Sequence, residues 1–299
     1  MKGCEGLVLS SGGIKGLLQL GVLDYLHSNQ YLTDIKYVSG CSVGSIIGLL
    51  WCIGYTPHEI FDMVCKQNLF QSLRSINPLL LSAQYGLIDN TILRHTVEDM
   101  IIGKIGFIPT FEQLYTQFGK YYVCNACKID NDEQLVYFSK ESHPTMSILD
   151  ACMLSSSIPL LFTKTEYENH FYIDGALLDW FPIRPLRDIN KDMNIIGITF
   201  DKVVDKHITT LKDYIFSLFV VFEKSQQEYK STPTQFIFPI RNQTCGIKFD
   251  ISIDDAIRMF VDGKEQIKRF LNPPVIIEPK HIVEEVIIKQ EEIKKEKVD

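Results

Sequence analysis

Five consecutive residues, Gly40-Cys41-Ser42-Val43-Gly44, combine types and spacing that could do bond chemistry. A serine with glycine two places to either side, after an apolar strand pattern and before an apolar helix pattern, matches a nucleophile elbow. The turn is too sharp for side chains at the flanking positions, and it lifts the serine hydroxyl clear of the sheet at a helix N-terminus. G-x-S-x-G is a loose pattern that also arises by chance. Here the context agrees on both sides, which makes Ser42 the candidate nucleophile.

A second turn, Ser10-Ser11-Gly12-Gly13-Ile14-Lys15-Gly16, also lies between a strand and a helix. Its glycines expose backbone N–H groups beside the positive end of a helix dipole, which suits an anion. A Walker loop needs Ser or Thr after its lysine, whereas Gly16 follows Lys15. A dinucleotide loop needs G-x-G-x-x-G, whereas Ser11 stands at its first position. The anion left is the transient oxyanion of acyl transfer, which each such donor stabilises by about 3–4 kcal/mol. Gly12 and Gly13 are thus candidate oxyanion donors, and an oxyanion loop and a serine nucleophile explain each other.

A serine nucleophile needs a base. None of the seven histidines, at 27, 58, 95, 143, 170, 207 and 281, ends a strand in a glycine turn. His27, His58 and His95 fall in helical stretches and read as surface residues. Asp174-Gly175-Ala176, by contrast, follows the apolar run Phe171-Tyr172-Ile173 directly. Taken alone, Asp-Gly reads first as a tight turn. A carboxylate facing a cleft from a strand end is the second reading.

The elements needed to hold these groups can be read in order. Gly6–Ser10 is a short apolar strand, followed by a helix to about Ser28, a strand over Ile35–Ser39 and a second apolar helix. This βαβα alternation, with continuous rather than alternating apolar strands, predicts a parallel sheet covered on both faces. Helices are expected over 88–102, 110–117, 147–155, 208–230 and 253–271, with another opened by Pro57. Strands are expected over 121–129, 134–139, 171–173, 194–200 and 235–240. The uncharged run Val38–Tyr55 approaches the length of a membrane span, but its four glycines and three serines fit a buried strand-turn-helix better. One domain over 5–272 is expected, with 273–299 as a charged tail or solvated helix.

Composition narrows the class. With 299 residues, 45% of them hydrophobic and 22% charged, the chain can bury a core without disulfide or metal staples. A net charge of −7 argues against a nucleic-acid binder. Eight cysteines scattered through apolar segments, and a start (MKGCEGLVLSSGG) without the apolar run of a signal peptide, point to an intracellular setting. The sequon Asn242-Gln243-Thr244 then reads as chance. Cys124 and Cys127 lie three apart on one strand, so their thiols face opposite ways and neither zinc nor redox use is expected. Asp130, Asp132 and Glu133 lack the glycine and distal glutamate of a calcium loop and read as a hairpin turn. The aromatic stripe Tyr214, Phe216, Phe219 and Phe222 reads as core first and as a membrane or acyl-chain face second.

The ordered set of Ser-Ser-Gly-Gly-Ile-Lys-Gly, Gly-Cys-Ser-Val-Gly some 25 residues on, and a distal Asp-Gly-Ala resembles the patatin-like phospholipases. Ala151–Phe162, Tyr85–Asp89 and Phe249–Ser252 resemble further segments of that family, extending the likeness over roughly residues 5–272. The resemblance implies a three-layer α/β/α fold around a mostly parallel sheet. It also implies a Ser-Asp dyad, with Ser42 as nucleophile, Asp174 as general base, and an oxyanion hole at Gly12 and Gly13. Ser11, Lys15, Gly16, Gly40, Gly44, Gly175 and Ala176 would support these motifs. The implied activity is hydrolysis of phospholipid or neutral-lipid esters, without a cofactor or metal, by a protein in transient peripheral contact with a membrane. A catalytically silent lipid- or protein-binding member is the alternative. The chain departs from the family pattern at Ser11 (usually glycine), Cys41 (more often threonine) and Trp180 (commonly asparagine), and the last could alter how the Asp174 loop is held.

Overall fold

Short apolar runs that cannot each bury their own surface do so by pairing edge to edge. A computed structural model of the chain describes residues 2–67, 69, 73, 76–130, 134–201, 214, 217, 235–241 and 251–273. Its strands are β1 (Gly6–Leu9), β2 (Tyr37–Gly40), β3 (Gly86–Ile88), β4 (Tyr121–Lys128), β5 (Leu135–Phe138), β6 (Leu160–Phe162), β7 (Thr165–Tyr167), β8 (His170–Asp174), β9 (Ile195–Phe200) and β10 (Gln235–Ile240). Its helices are α1 (Gly16–Ser28), α2 (Val43–Cys52), α3 (Pro57–Lys66), α4 (Pro78–Gln84), α5 (Thr91–Ile105), α6 (Phe111–Phe118), α7 (Ile148–Ser155), α8 (Arg184–Ile189) and α9 (Ile253–Leu271).

Among the described residues the main sheet has eight strands, in the order β10-β9-β1-β2-β4-β8-β7 with β5 also paired to β4. The pairs β1–β2, β1–β9, β9–β10 and β2–β4 are parallel, while β4–β5, β4–β8 and β7–β8 are antiparallel. The predicted mostly parallel sheet is therefore present, with an antiparallel extension at the β4 side. Every residue of β1 and of β9 is buried, as expected where helices cover both faces. A separate two-stranded parallel pair joins β3 to β6. Its core of Leu69, Leu73, Leu87, Ile88, Ile158, Leu161 and Phe162 packs beside the main body.

Local signals set several helix ends. Thr56 and Glu59 form a reciprocal capping box at the start of α3, with Pro57 at its first position. Thr110 and Gln113 do the same for α6. Lys264 reaches Asp24 at 2.6 Å and ties α9 to α1.

The structure departs from the sequence expectations at β3 and β6. Ile88 belongs to a strand, and the helix read as beginning there starts at Thr91. The helix read over 147–155 is present as Ile148–Ser155, but Leu160–Phe162 beyond it is a strand, paired with β3, that the sequence reading did not mark. Both runs are three residues long, too short for a periodic pattern to register. The predicted helix over 208–230 lies outside the described residues except for Tyr214 and Ser217, which are helical. The 131–133 turn, the sequon and the tail from 274 also lie outside them. By contacts the chain divides into Met1–Ile267 and Lys268–Asp299; of the second unit, residues 268–273 are described and carry the last turn of α9. Among the described residues no helix is long and apolar enough to cross a membrane, and Val38–Tyr55 is the buried β2-turn-α2 unit.

Candidate active site

Strand β2 ends at Gly40 and α2 begins at Val43, leaving Cys41 and Ser42 to reverse the chain. Ser42 sits at φ 53°, ψ −126°, a strained conformation for a residue with a Cβ and one concentrated at functional turns. The flanking glycines are a steric requirement. A Cβ on Gly40 would lie 2.5 Å from the Gly44 carbonyl oxygen, and one on Gly44 would lie 2.5 Å from Leu9 O and 2.6 Å from Ser10 O. These neighbours are backbone atoms of the central strand and the elbow and cannot swing aside. Gly44→Ala is therefore expected to cost at least about 3 kcal/mol, read as a lowered Tm or loss of soluble protein. A melting curve like the wild type's would show that the turn can relax.

The elbow is held from three sides. Ser42 N–H donates to Ser155 Oγ at the end of α7 (2.9 Å), and Ser45 Oγ donates to Ser42 O (2.6 Å). Cys41 N–H donates to Leu9 O at 3.1 Å, so the neighbouring strand β1 sets the height of the turn.

The loop after β1 runs alongside. Ser10 N–H donates to Ile198 O and Ser11 N–H to Trp180 O, at 3.0 and 2.8 Å. Gln19, fully buried on α1, reaches back to Ser10 O at 2.9 Å. Lys15 is also buried and places Nζ 4.6 Å over the Phe200 ring at the end of β9. Among the described residues the N–H groups of Gly12 and Gly13 have no hydrogen-bond partner in the fold. Gly13 shares the wall of one cavity with Ser42.

Asp174 closes the arrangement from the far end of the chain. It is the last residue of β8, which runs antiparallel to β4 with Ala126 opposite Asp174. Ser42 Oγ donates to Asp174 Oδ2 at 2.6 Å across 132 residues of sequence. Ala176 N–H donates to Asp174 Oδ1 at 2.8 Å, which fixes the carboxylate plane. Both side chains are nearly enclosed, with Ser42 4% and Asp174 2% exposed. The bond is short and shielded from water, where a hydrogen bond to a charge is strongest.

Residues beyond the motifs secure the Asp174 loop. Tyr137 OH donates to Asp179 Oδ2 at 2.6 Å, and buried Asn125 donates through Nδ2 to Asp179 O at 2.8 Å. A Cβ on Gly175 would meet Asn125 O at 2.5 Å, so the loop seats only a glycine there. Asp179 was not among the sequence candidates, and nothing in its spacing marks it: its role depends on a tyrosine 42 residues away. At the Trp180 departure, the backbone carbonyl accepts from Ser11 N–H and the ring packs against Phe181.

His27, His58 and His95 are exposed, and His170 faces Asp130 at 3.3 Å. Cys124 and Cys127 occupy opposite faces of β4. Burial, with the negative charges of Asp174 and Asp179 nearby, pushes the Cys127 thiol up to about 12. Among the described residues no three His, Cys, Asp or Glu side chains converge as metal ligands.

The cavity beside Ser42 is bounded by α1, α2, α3, α5 and the β6 region, with roughly 800 Å³ of free space, its open mouth included. Its walls are leucine, isoleucine, valine, methionine and phenylalanine, with Ser42, Thr96 and Ser156 the polar side chains among them. Such apolar walls suit a hydrocarbon chain.

Comparison with known proteins bears on the family and the fold. The chain is 35% identical over 183 residues to probable lipid hydrolase 463L of Invertebrate iridescent virus 6, a match spanning 59% of this chain and 61% of that protein's length. It is 27% identical over 289 residues to protein R571 of Acanthamoeba polyphaga mimivirus, covering 90% of this chain and 95% of that one. The crystal structure of VipD from Legionella pneumophila superposes with a TM-score of 0.52 at 14% identity, over 90% of this chain and 67% of VipD, a likeness of fold. The profile of the patatin-like phospholipases matches residues 7–187, from the first residues of β1 through α8. With more than half its length inside that profile, the chain belongs to the patatin-like phospholipase family.

Proposed function

We propose that this chain is a serine carboxylic-ester hydrolase that cleaves phospholipid or neutral-lipid esters through an acyl-enzyme on Ser42. The observation that carries the reading is the 2.6 Å hydrogen bond from Ser42 Oγ to Asp174 Oδ2 on the wall of an apolar cavity.

In acylation, Ser42 Oγ attacks the ester carbonyl carbon while its proton passes to Asp174 Oδ2. The carbonyl π pair moves onto oxygen, and that oxyanion is met by the N–H groups of Gly12 and Gly13. The ester C–O bond then breaks, and the leaving alcohol takes the proton from Asp174. In deacylation, water gives a proton to Asp174 and attacks the acyl carbon. Ser42 Oγ leaves and recovers the proton. Throughout, the Ala176 N–H holds Oδ1, so that Oδ2 is the oxygen presented to the serine. The acyl chain occupies the cavity, where each buried methylene contributes about 0.8 kcal/mol. Contact with the lipid surface is transient and peripheral in this reading.

An alkyl fluorophosphonate tests it directly. Covalent label is expected on Ser42, located by peptide mass, together with fatty-acid release from phosphatidylcholine vesicles. Folded protein that takes no label and releases no acid would leave lipid binding on the same scaffold as the activity to pursue.

A further inference from the structure

We infer that the cavity beside Ser42 is a chain-length ruler, set for an acyl chain of about ten carbons and stopped by Leu50, Ile60 and Met100. The inference rests on the hydrolase reading above and adds a substrate preference to it. One face of α2 supplies the long wall, from Ser42 through Val43, Ile46 and Ile47 to Leu50. Eight residues at 1.5 Å each set the usable depth at about 12 Å from the nucleophile.

The two ends of the cavity differ in exposure. Near the serine, Gly13 and Val43 are half-buried beside the buried Ile14 and Leu17, and Leu93 at the start of the α5 wall and Thr96 midway along it are half-buried too. At the other end, Leu50, Ile60 and Met100 are each 1% exposed, and Val97 is 2% exposed. Three helices therefore converge at that end, where these side chains are almost fully buried and Val64, one turn from Ile60, is half-buried. A chain filling one leaflet needs about 15 Å, half of a hydrocarbon core of roughly 30 Å. The cavity is shorter than such a chain. A decanoyl group fits its depth, and a palmitoyl group must leave its last carbons outside or bend.

The test is a series of p-nitrophenyl esters in mixed micelles, read as kcat/KM against chain length. For wild type, kcat/KM is expected to rise from butyrate to decanoate, since each buried methylene is worth about fourfold. It should then fall at least tenfold to palmitate. Val97→Phe fills the deep end and should lower the decanoate-to-butyrate ratio at least tenfold. Met100→Ala deepens it and should raise the palmitate-to-decanoate ratio severalfold. Circular dichroism confirms that each variant is folded, and either variant alone tests the ruler. Palmitate cleaved as fast as decanoate by wild type, or ratios unchanged in the folded variants, would overturn it. Failure of the hydrolase reading is separable: wild type would then cleave no ester and take no fluorophosphonate. Displacement of a fluorescent fatty acid from Ser42→Ala still reads the cavity in that case. Tighter binding of decanoic than palmitic acid upholds the ruler, and equal binding sinks it.

Discussion

Alanine at position 42 is expected to lower turnover of a phospholipid or aryl ester by about 10⁴-fold or more, with the fold intact. In the proposed reaction Ser42 Oγ is the atom that makes the bond to the acyl carbon, and the neighbouring thiol is a poor substitute: Cys41 Sγ reaches Asp174 Oδ1 only at 4.0 Å, the limit of a weak contact. The substitution does carry a stability cost. Asp174 Oδ2 loses its donor while 2% exposed, which costs about 1–3 kcal/mol. That is small against the 5–15 kcal/mol typical of a domain. Alanine keeps a Cβ, so the φ 53° turn is neither relieved nor worsened. Fatty-acid release measured beside a thermal melt separates the two effects. Activity within tenfold of wild type in a folded Ser42→Ala protein would remove Ser42 from the reaction.

Asp174→Asn should be nearly as damaging, by about 10³–10⁴-fold in kcat, although it changes one heavy atom. The reason lies in the two close donors, one to each oxygen of the carboxylate. Ala176 N–H points at Oδ1 and Ser42 Oγ–H at Oδ2. An amide has one acceptor oxygen, and the backbone N–H claims it because a main-chain donor cannot turn away. The amide nitrogen then faces Ser42 and donates to Oγ, reversing the bond and leaving the hydroxyl proton with no base. Because the cavity is untouched, KM should change little while kcat collapses, and fluorophosphonate labelling should slow in step. A mainly raised KM, with kcat preserved, would instead assign Asp174 to binding.

Much of this site could be read before any coordinates. Gly40 and Gly44 were marked by spacing alone, and their steric role against Leu9, Ser10 and each other is local to the elbow and its neighbouring strand. The βαβα start and the continuously apolar β1 and β9 were legible because burial on both faces writes itself into composition. The Asp174 assignment was weaker. From residues alone Asp-Gly read first as a turn, and only the resemblance to a family raised it. Its bond to a serine 132 positions away follows from where β8 joins β4, which no local pattern encodes.

Other features had no readable signal. The strands β3 and β6 are three residues each, below the length at which alternation can be distinguished from chance. Asp179, Tyr137 and Asn125 are ordinary residues in sequence, made a network by the approach of the β4–β5 hairpin to the Asp174 loop. The cavity is the clearest case. Among the described residues its walls come from α1, α2, α3, α5 and the β6 region, and each wall read by itself is simply buried apolar surface. Local sequence thus determined the turns, because a sharp turn restricts the residues within it. Tertiary packing decided Asp174's partner, the supports of its loop and the depth of the cavity, because each is a distance between segments whose separation along the chain carries no information about their separation in space.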